Sequence, residues 1–234
     1  MKRGNRNVRI KRYLIFLIGV WLNAFGVAFV TNADLGASPI AAIPYSLSMI
    51  LPQLTLGNWV ILFNIALIVV HAFLQRKEVG KAQLGIEVVI TFCFGYGVDL
   101  SMLCLQGFHP EQYFLQLISM ILGCVIIAMG AYLEVLADVA MLPGDAFVNA
   151  IAKSLHRQYG GVRVISDISM SVVAGVLCLI FLHELSGVRE GTIFSALLVG
   201  NIVKLFAKLL AGPSARLLPP RQANPAETGE EQTG

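Results

Sequence analysis

Acidic side chains within long apolar runs are the residues of this chain most able to do chemistry. Asp99 lies well inside one such run, and Glu134 has apolar neighbours on both sides. A carboxylate within a bilayer is costly and usually faces a bundle interior or a transport pathway, where it binds a proton or cation. We therefore predict ion or proton coupling by four carboxylates: Asp99, Glu134, Asp138 and Asp167.

Spacing and position refine this set of carboxylates. Glu134 and Asp138 are four residues apart and would share one helix face, where mutual repulsion favours keeping one of them protonated. Asp167 and Glu87 lie within about a turn of predicted span ends, so both can also be hydrated. For three carboxylates the alternative to a site is interfacial water: Asp34, Asp138 and Asp145. The partners considered for Asp99 and Glu134 are Arg163, Arg189 and Lys204.

Two Pro/Gly breakers, each followed by a short apolar stretch, form the second set of candidates. Leu35-Gly36-Ala37-Ser38-Pro39 precedes one stretch, and Leu142-Pro143-Gly144-Asp145-Ala146 precedes the other. Ser38 and Asp145 would cap the short helices by accepting bonds from backbone N–H groups, and Pro39 suits a first helical position. A helix start that faces a polar cavity attracts an anionic ligand, whereas a start at the lipid headgroups merely ends an interfacial helix. The predicted substrate-binding residues are Gly36, Ser38, Pro39, Asn64, Gly144, Asp145 and Asn149.

Long apolar segments must position these groups. The chain is 56% apolar and 13% charged, about half the charge of an ordinary soluble domain. Six runs approach the length of about 20 residues that crosses a bilayer: residues 13–31, 59–74, 84–105, 113–136, 164–182 and 192–210. The two short stretches, 40–51 and 147–155, are too short to cross. We predict an all-α membrane protein with six transmembrane helices and two short re-entrant helices.

The two halves of the chain resemble each other. At a shift of 104 residues, Gly19, Ala24, Gly26 and Asp34 fall on Gly123, Ala128, Gly130 and Asp138. We predict a basic leader (1–12), a membrane domain (13–211) made of repeats 13–107 and 113–211, and a disordered tail (212–234). Three spans per half is an odd number, so the repeats must be inverted. Inverted repeats with broken helices are a recurring plan of secondary transporters.

Positive charges predict the orientation. With six spans, every Lys and Arg among the 17 in the chain except Arg189 lies on the side of the N-terminus. Positive residues mark the cytoplasmic side, so both termini are expected there. Eight full crossings would place Arg76, Lys77 and Lys81 outside, against this rule.

Several motifs taken together resemble a known family. Leu35-Gly36-Ala37-Ser38-Pro39, Leu142-Pro143-Gly144-Asp145 and Gly187-Val188-Arg189-Glu190-Gly191-Thr192 are similar to motifs of the YczE/YitT-type integral membrane proteins of bacteria. The resemblance departs at Ala37, where that family usually has Thr, and at Gly80-Lys81-Ala82-Gln83 in place of a Gly-x-Gly-Thr run. It implies a bacterial inner-membrane protein and no particular mechanism, because that family has no settled activity.

The leading functional hypothesis is a small-molecule secondary transporter with its site between the two repeats. The alternative is a non-transporting membrane subunit or a regulatory protein of another complex. The four His and four Cys residues are scattered and no catalytic motif is present, so we expect no enzyme activity, cofactor or metal. The expected partners are the lipid bilayer, an unknown small molecule and a homo-oligomer or partner subunit. Nucleic acid is not expected, since the basic leader is explained by topology and anionic lipid.

Overall fold

The computed structural model of the protein describes residues 2–75, 80–184 and 187–210, with side chains from residue 8 onward except at 81. This part of the chain folds into eight helices and no strands. The helices are α1 (Lys2–Asn32), α2 (Pro39–Ile50), α3 (Leu56–Leu74), α4 (Lys81–Cys104), α5 (Tyr113–Ala137), α6 (Pro143–Ser154), α7 (Tyr159–Phe181) and α8 (Glu190–Leu209). The predicted all-α fold is confirmed.

Six of these helices are long and apolar enough to cross a membrane. The spans are Val8–Asn32, Leu56–Leu74, Ala82–Cys104, Tyr113–Ala137, Tyr159–Phe181 and Glu190–Leu209. The chain is therefore a multi-pass membrane protein in contact with the lipid bilayer. Residues 2–12, predicted as a separate leader, continue α1, because no proline interrupts the helix before Tyr13. The predicted tail (212–234) lies outside the described residues, as does the part of the charged loop at 76–79.

Helices α1 and α5 form the centre of the molecule and cross at four glycines. A Cβ added to Gly130 would lie 2.7 Å from the carbonyl oxygen of Gly19 and 2.6 Å from the backbone nitrogen of Asn23. A Cβ added to Gly26 would lie 3.1 Å from the carbonyl oxygen of Gly123. Since the earlier glycine of α1 meets the later glycine of α5, the two helices run antiparallel. The glycines let the two backbones touch.

Several helix pairs have a counterpart at the corresponding positions of the other half. Helix α1 packs on α4 as α5 packs on α8, and α2 packs on α7 as α6 packs on α3. Asp34 and Asp138, which follow α1 and α5, both have positive φ, 57° and 48°. Two pairings depart from the pattern in the described residues. Helix α3 packs closely on α4, with no comparable contact between α7 and α8, and α2 contacts α8, with no comparable contact between α6 and α4.

The two breakers bring the starts of the short helices together. The segment after α1 turns back into the bundle, where Leu35 and Ala37 are completely buried. Helix α2 then begins at Pro39, and α6 begins at Pro143, which is also buried. A Cβ on Gly144 would collide with the side chain of Ile40. The first turns of α2 and α6 therefore adjoin among buried residues.

Candidate functional site

The start of α2 carries a buried hydroxyl without a partner. Ser38 occupies the N-cap position of α2, but its side chain makes no capping bond. A capping hydroxyl would accept a hydrogen bond from the N–H of Ala41. That N–H instead donates to the backbone carbonyl of Ser38 at 2.9 Å. The predicted capping by the Ser38 hydroxyl is therefore wrong. Oγ of Ser38 is buried and has no hydrogen-bond partner among the described residues, an arrangement that normally requires an explanation.

The first breaker is fixed by the first turn of α8 and by Arg189, which precedes it. Gly191 N–H donates to the carbonyl of Leu35 at 2.9 Å, and Arg189 Nη1 donates to the carbonyl of Asp34 at 2.8 Å. Gly36 has φ 98°, and a Cβ on it would lie 2.7 Å from Oγ1 of Thr192, so only glycine fits there. Thr192 Oγ1 is the second buried hydroxyl without a partner in the part of the chain that the structure describes. A motif from the first half, residues 34–36, thus contacts a motif from the second half, residues 189–192.

Helix α6 begins at a different residue from the one that the sequence predicted. The N-cap of α6 is Leu142, and Asp145 lies inside the first turn, because Pro143 begins the helix earlier than the sequence suggested. The predicted capping by Asp145 is therefore wrong. Its carboxylate pairs with Arg163 and accepts from the Tyr159 hydroxyl at 3.3 Å. Arg163 Nε also contacts Asp167 Oδ2 at 3.3 Å, so one guanidinium pairs with both carboxylates.

Asp99 joins α4 to the first turn of α3. Its carboxylate accepts from the N–H of Gly57 at 2.7 Å and from the hydroxyl of Thr55 at 2.6 Å. Thr55 is the N-cap of α3, where unpaired N–H groups attract a negative charge. Of the three basic partners considered for Asp99, Arg163 pairs instead with Asp145 and Asp167, and Arg189 contacts Asp34. The coupling role of Asp99 stays a prediction.

Removing this carboxylate is expected to destabilise the protein. Asp99→Ala removes two hydrogen bonds at a helix start, one of them from a backbone N–H. We expect a loss of about 1–3 kcal/mol in the free energy of unfolding. Asp99→Asn keeps an oxygen acceptor, so its free energy of unfolding should fall by less. The measurement is the midpoint of unfolding in mixed micelles titrated with SDS, and an unchanged midpoint in Asp99→Ala would refute the capping role.

Glu134 lies at the α1–α5 crossing. Its side chain is buried, and Oε1 accepts from Asn23 Nδ2 at 3.2 Å. The predicted shared face with Asp138 is wrong, because α5 ends at Ala137 and Asp138 adopts a left-handed conformation as its C-cap. Asp138 is exposed while Glu134 is buried. Of these two carboxylates, only Glu134 lies deep in the bundle.

A buried histidine–glutamate pair was missed by the sequence reasoning. His71 and Glu87 are 2% and 1% exposed, and His71 Nδ1 lies 3.0 Å from Glu87 Oε2. The other ring nitrogen lies 3.1 Å from Gln75 Oε1, and Gln83 Nε2 contacts Glu87 Oε1 at 3.5 Å. The expectation that Glu87 can be hydrated is therefore wrong. The available signal was the spacing of Asn64, His71 and Gln75, which places three polar groups on one face of an apolar helix.

A polar cavity lies beside this pair, between α3, α4 and α6. Its volume is ≈ 90 Å³, and it is lined by His71, Gln75, Gln83, Met141, Ala146, Asn149 and Lys153. Among the predicted substrate-binding residues, Asn149 lines it. The others lie elsewhere: Gly36, Ser38 and Pro39 at the start of α2, Gly144 and Asp145 at the start of α6, and Asn64 on the buried face of α3.

The sequence matches the profile of a family described as "Family of unknown function (DUF6198)" over residues 10–208. The chain belongs to this family. The DUF6198 region contains both breakers and nearly all of the six spans. The match agrees with the expectation that the chain belongs to an uncharacterised bacterial family. It does not name the YczE/YitT type.

One relative of this DUF6198 protein is "Uncharacterized protein YyaS" of Bacillus subtilis (strain 168). The two sequences are 26% identical over 135 residues, which are 57% of this chain and 65% of the relative. The chain thus matches somewhat less than two thirds of that protein's length. No solved structure matches the chain.

Proposed function

We propose that this protein is a small-molecule secondary transporter of the bacterial inner membrane, with its solute path between two inverted repeats. The observation that carries the proposal is the meeting of two short helix starts among buried residues, Ile40 against Gly144. The buried Ser38 hydroxyl without a described partner lies at one of these starts. Discontinuous helices whose ends meet inside a bundle are typical of transporter binding sites. The proposal assigns the chain transport and no catalysis.

Packing supports the inverted repeat. A two-fold axis through the α1–α5 crossing would exchange Gly19 with Gly123 and Gly26 with Gly130. The contacts of Gly19 with Gly130 and of Gly26 with Gly123 are the pairs that this exchange requires. The recurring helix pairs and the positive φ of Asp34 and Asp138 fit the same axis. Each half then carries one short helix toward the centre.

The chemistry of two helix starts supports an anionic solute. Each start presents backbone N–H groups and a partial positive charge. Within a bilayer these groups need partners, because no bulk water reaches them. Glu134, the deepest of the four carboxylates predicted to couple ions, lies on the neighbouring crossing and not at the helix starts. We therefore propose a small anion as the solute, and both termini on the cytoplasmic side on the basis of the positive residues.

The alternative role as a subunit or regulatory partner has one supporting observation. Helix α8 is the least buried of the six spans: 11% of its most apolar stretch is buried within the protein. Helix α7 follows with 22%. Lipid, a second copy of the chain or a different membrane protein would each cover these faces. Purification of a stoichiometric complex, together with no solute movement by the isolated chain, would favour the subunit role.

Transport by Ser38→Ala tests the site. In proteoliposomes supplied with a panel of labelled small anions, with and without a proton gradient, the wild-type protein should move at least one solute. Ser38→Ala should reduce that rate about tenfold, because a hydrogen bond to a charged solute is worth about 1.5 kcal/mol. Its stability should be unchanged, since no bond within the described protein is lost.

Ser48→Ala is the matched control for this experiment. Ser48 lies on the same short helix, but its hydroxyl donates to the carbonyl of Tyr45 at 2.8 Å. Its removal should leave transport at the wild-type rate. A wild-type protein that moves nothing from the panel contradicts the transport proposal, and a fully active Ser38→Ala contradicts the site.

A further inference from the structure

We propose that the cavity between α3, α4 and α6 binds a small anion together with a proton, which the His71–Glu87 pair takes up. This site is distinct from the helix starts and from the four carboxylates predicted to couple ions. Only one consequence of this inference, the proton-coupled movement of an anion, rests on the proposed transport function. The binding itself is measurable without transport.

The arrangement of the pair gives an added proton a place on Glu87. Both ring nitrogens of His71 face oxygen atoms, those of Glu87 and Gln75. When both nitrogens carry hydrogen, each donates to one of these oxygens, and the imidazolium lies against the Glu87 carboxylate. In that state the pair has no net charge, and one further proton on Glu87 gives it a net charge of +1.

The cavity offers groups that donate hydrogen bonds to an anion. Lys153 supplies an ammonium group, and the amides of Gln75, Gln83 and Asn149 supply N–H groups. Among the side chains that the structure describes, none lining the cavity is a carboxylate. Its volume of ≈ 90 Å³ has room for several water molecules. A solute with about three or four non-hydrogen atoms, such as formate or nitrate, fits this space.

Other charged groups on the packed helices do not replace Glu87 as the proton acceptor. Helix α6 contributes Lys153 to the cavity, while its Asp145 is paired with Arg163. Helix α2, which also packs on α3, has no Asp, Glu, Lys, Arg or His, and Tyr45 is its one titratable residue.

On α1, which packs on α4, the described charged residues lie at the beginning of the helix. Arg9 and Lys11 are exposed, and Arg12 donates to the carbonyl of Ala137 at 3.0 Å. The part of the loop at 76–79 and the side chain of residue 81 lie outside the described residues.

Electrostatics couples the anion to the proton. An anion in the cavity is repelled by the ionised Glu87 carboxylate behind His71, and a proton on Glu87 removes that repulsion. Because linkage is reciprocal, anion binding must promote proton uptake as much as a proton promotes anion binding. If one proton is bound with each anion, anion affinity falls up to tenfold for each unit that the pH rises.

The experiment measures proton uptake by the purified full-length protein in detergent. Sodium formate and sodium nitrate are added separately in weak buffer containing a pH-indicator dye, and anion binding is followed by calorimetry across several pH values. The wild-type protein should take up as much as one proton per bound anion. Glu87→Gln should bind the anion with no proton uptake and little pH dependence, since an amide resembles a protonated carboxyl group. Lys153→Met should weaken anion binding about tenfold.

Glu190→Gln is the control, because Glu190 is exposed at the start of α8. It should take up protons as the wild-type protein does. The proposal is overturned if neither anion binds, if binding occurs without proton uptake, or if folded Glu87→Gln takes up the same number of protons. If coupled binding is measured but proteoliposomes move no solute, this inference stands and the transport proposal fails.

Discussion

Replacing Gly130 with alanine is expected to lower the free energy of unfolding by about 3 kcal/mol, the upper part of the range for an overpacked core. The added Cβ would lie 2.6 Å from the backbone nitrogen of Asn23 and 2.7 Å from the carbonyl oxygen of Gly19. These are backbone atoms of α1 and cannot rotate away as a side chain does. The methyl group therefore forces apart α1 and α5, the two helices at the centre of the fold.

Gly200→Ala is the matched control for the crossing. Gly200 also lies within a span, but a Cβ there would meet nothing within 4 Å. Alanine should stabilise α8 by up to about 1 kcal/mol, because it has the higher helix propensity. The comparison is made by SDS unfolding in mixed micelles, with folded yield after purification as a second measurement. Equal stability of the two variants would mean that α1 and α5 do not cross at Gly130.

The glycines also show why much of the fold follows from the sequence. The spans are set by the match between apolar length and bilayer thickness, a local property of each run. Gly19, Gly26, Gly123 and Gly130 recur at equal spacing, and the structure places all four at one crossing. Local signals of this kind predicted six spans and two short helices. They predict helix ends less well, as α1 extends through the residues taken for a separate leader.

The candidate site was harder to predict because its contacts join different helices. Position within an apolar run placed Asp99 deep in a span, but no local signal reveals that its carboxylate faces the start of α3. Ser38 was placed correctly at the start of a short helix, yet its backbone carbonyl, not its hydroxyl, accepts the N–H of Ala41. His71 and Glu87 lie on separate helices, and the sequence predicted only a scattered histidine and a hydrated carboxylate.

Removing one member of the His71–Glu87 pair is expected to have the largest effect on stability. His71→Leu leaves Glu87 buried without its imidazole partner, and breaking a buried pair in this way costs about 3–5 kcal/mol. Glu87→Leu should also destabilise, but less, because His71 keeps a hydrogen-bond partner in Gln75 Oε1 at 3.1 Å. Glu87→Gln keeps a hydrogen-bond acceptor for His71, so it should lose the least stability of the three single variants.

The double variant His71→Leu/Glu87→Leu separates the interaction between the two side chains from the effect of losing each one. Two apolar side chains leave no buried charge, so the double variant should be more stable than His71→Leu alone. The difference between the double loss and the sum of the single losses gives the coupling energy of the pair. All four proteins are compared by SDS unfolding at one pH. Strictly additive losses would mean that His71 and Glu87 do not interact, and the proton-binding site would then have no physical basis.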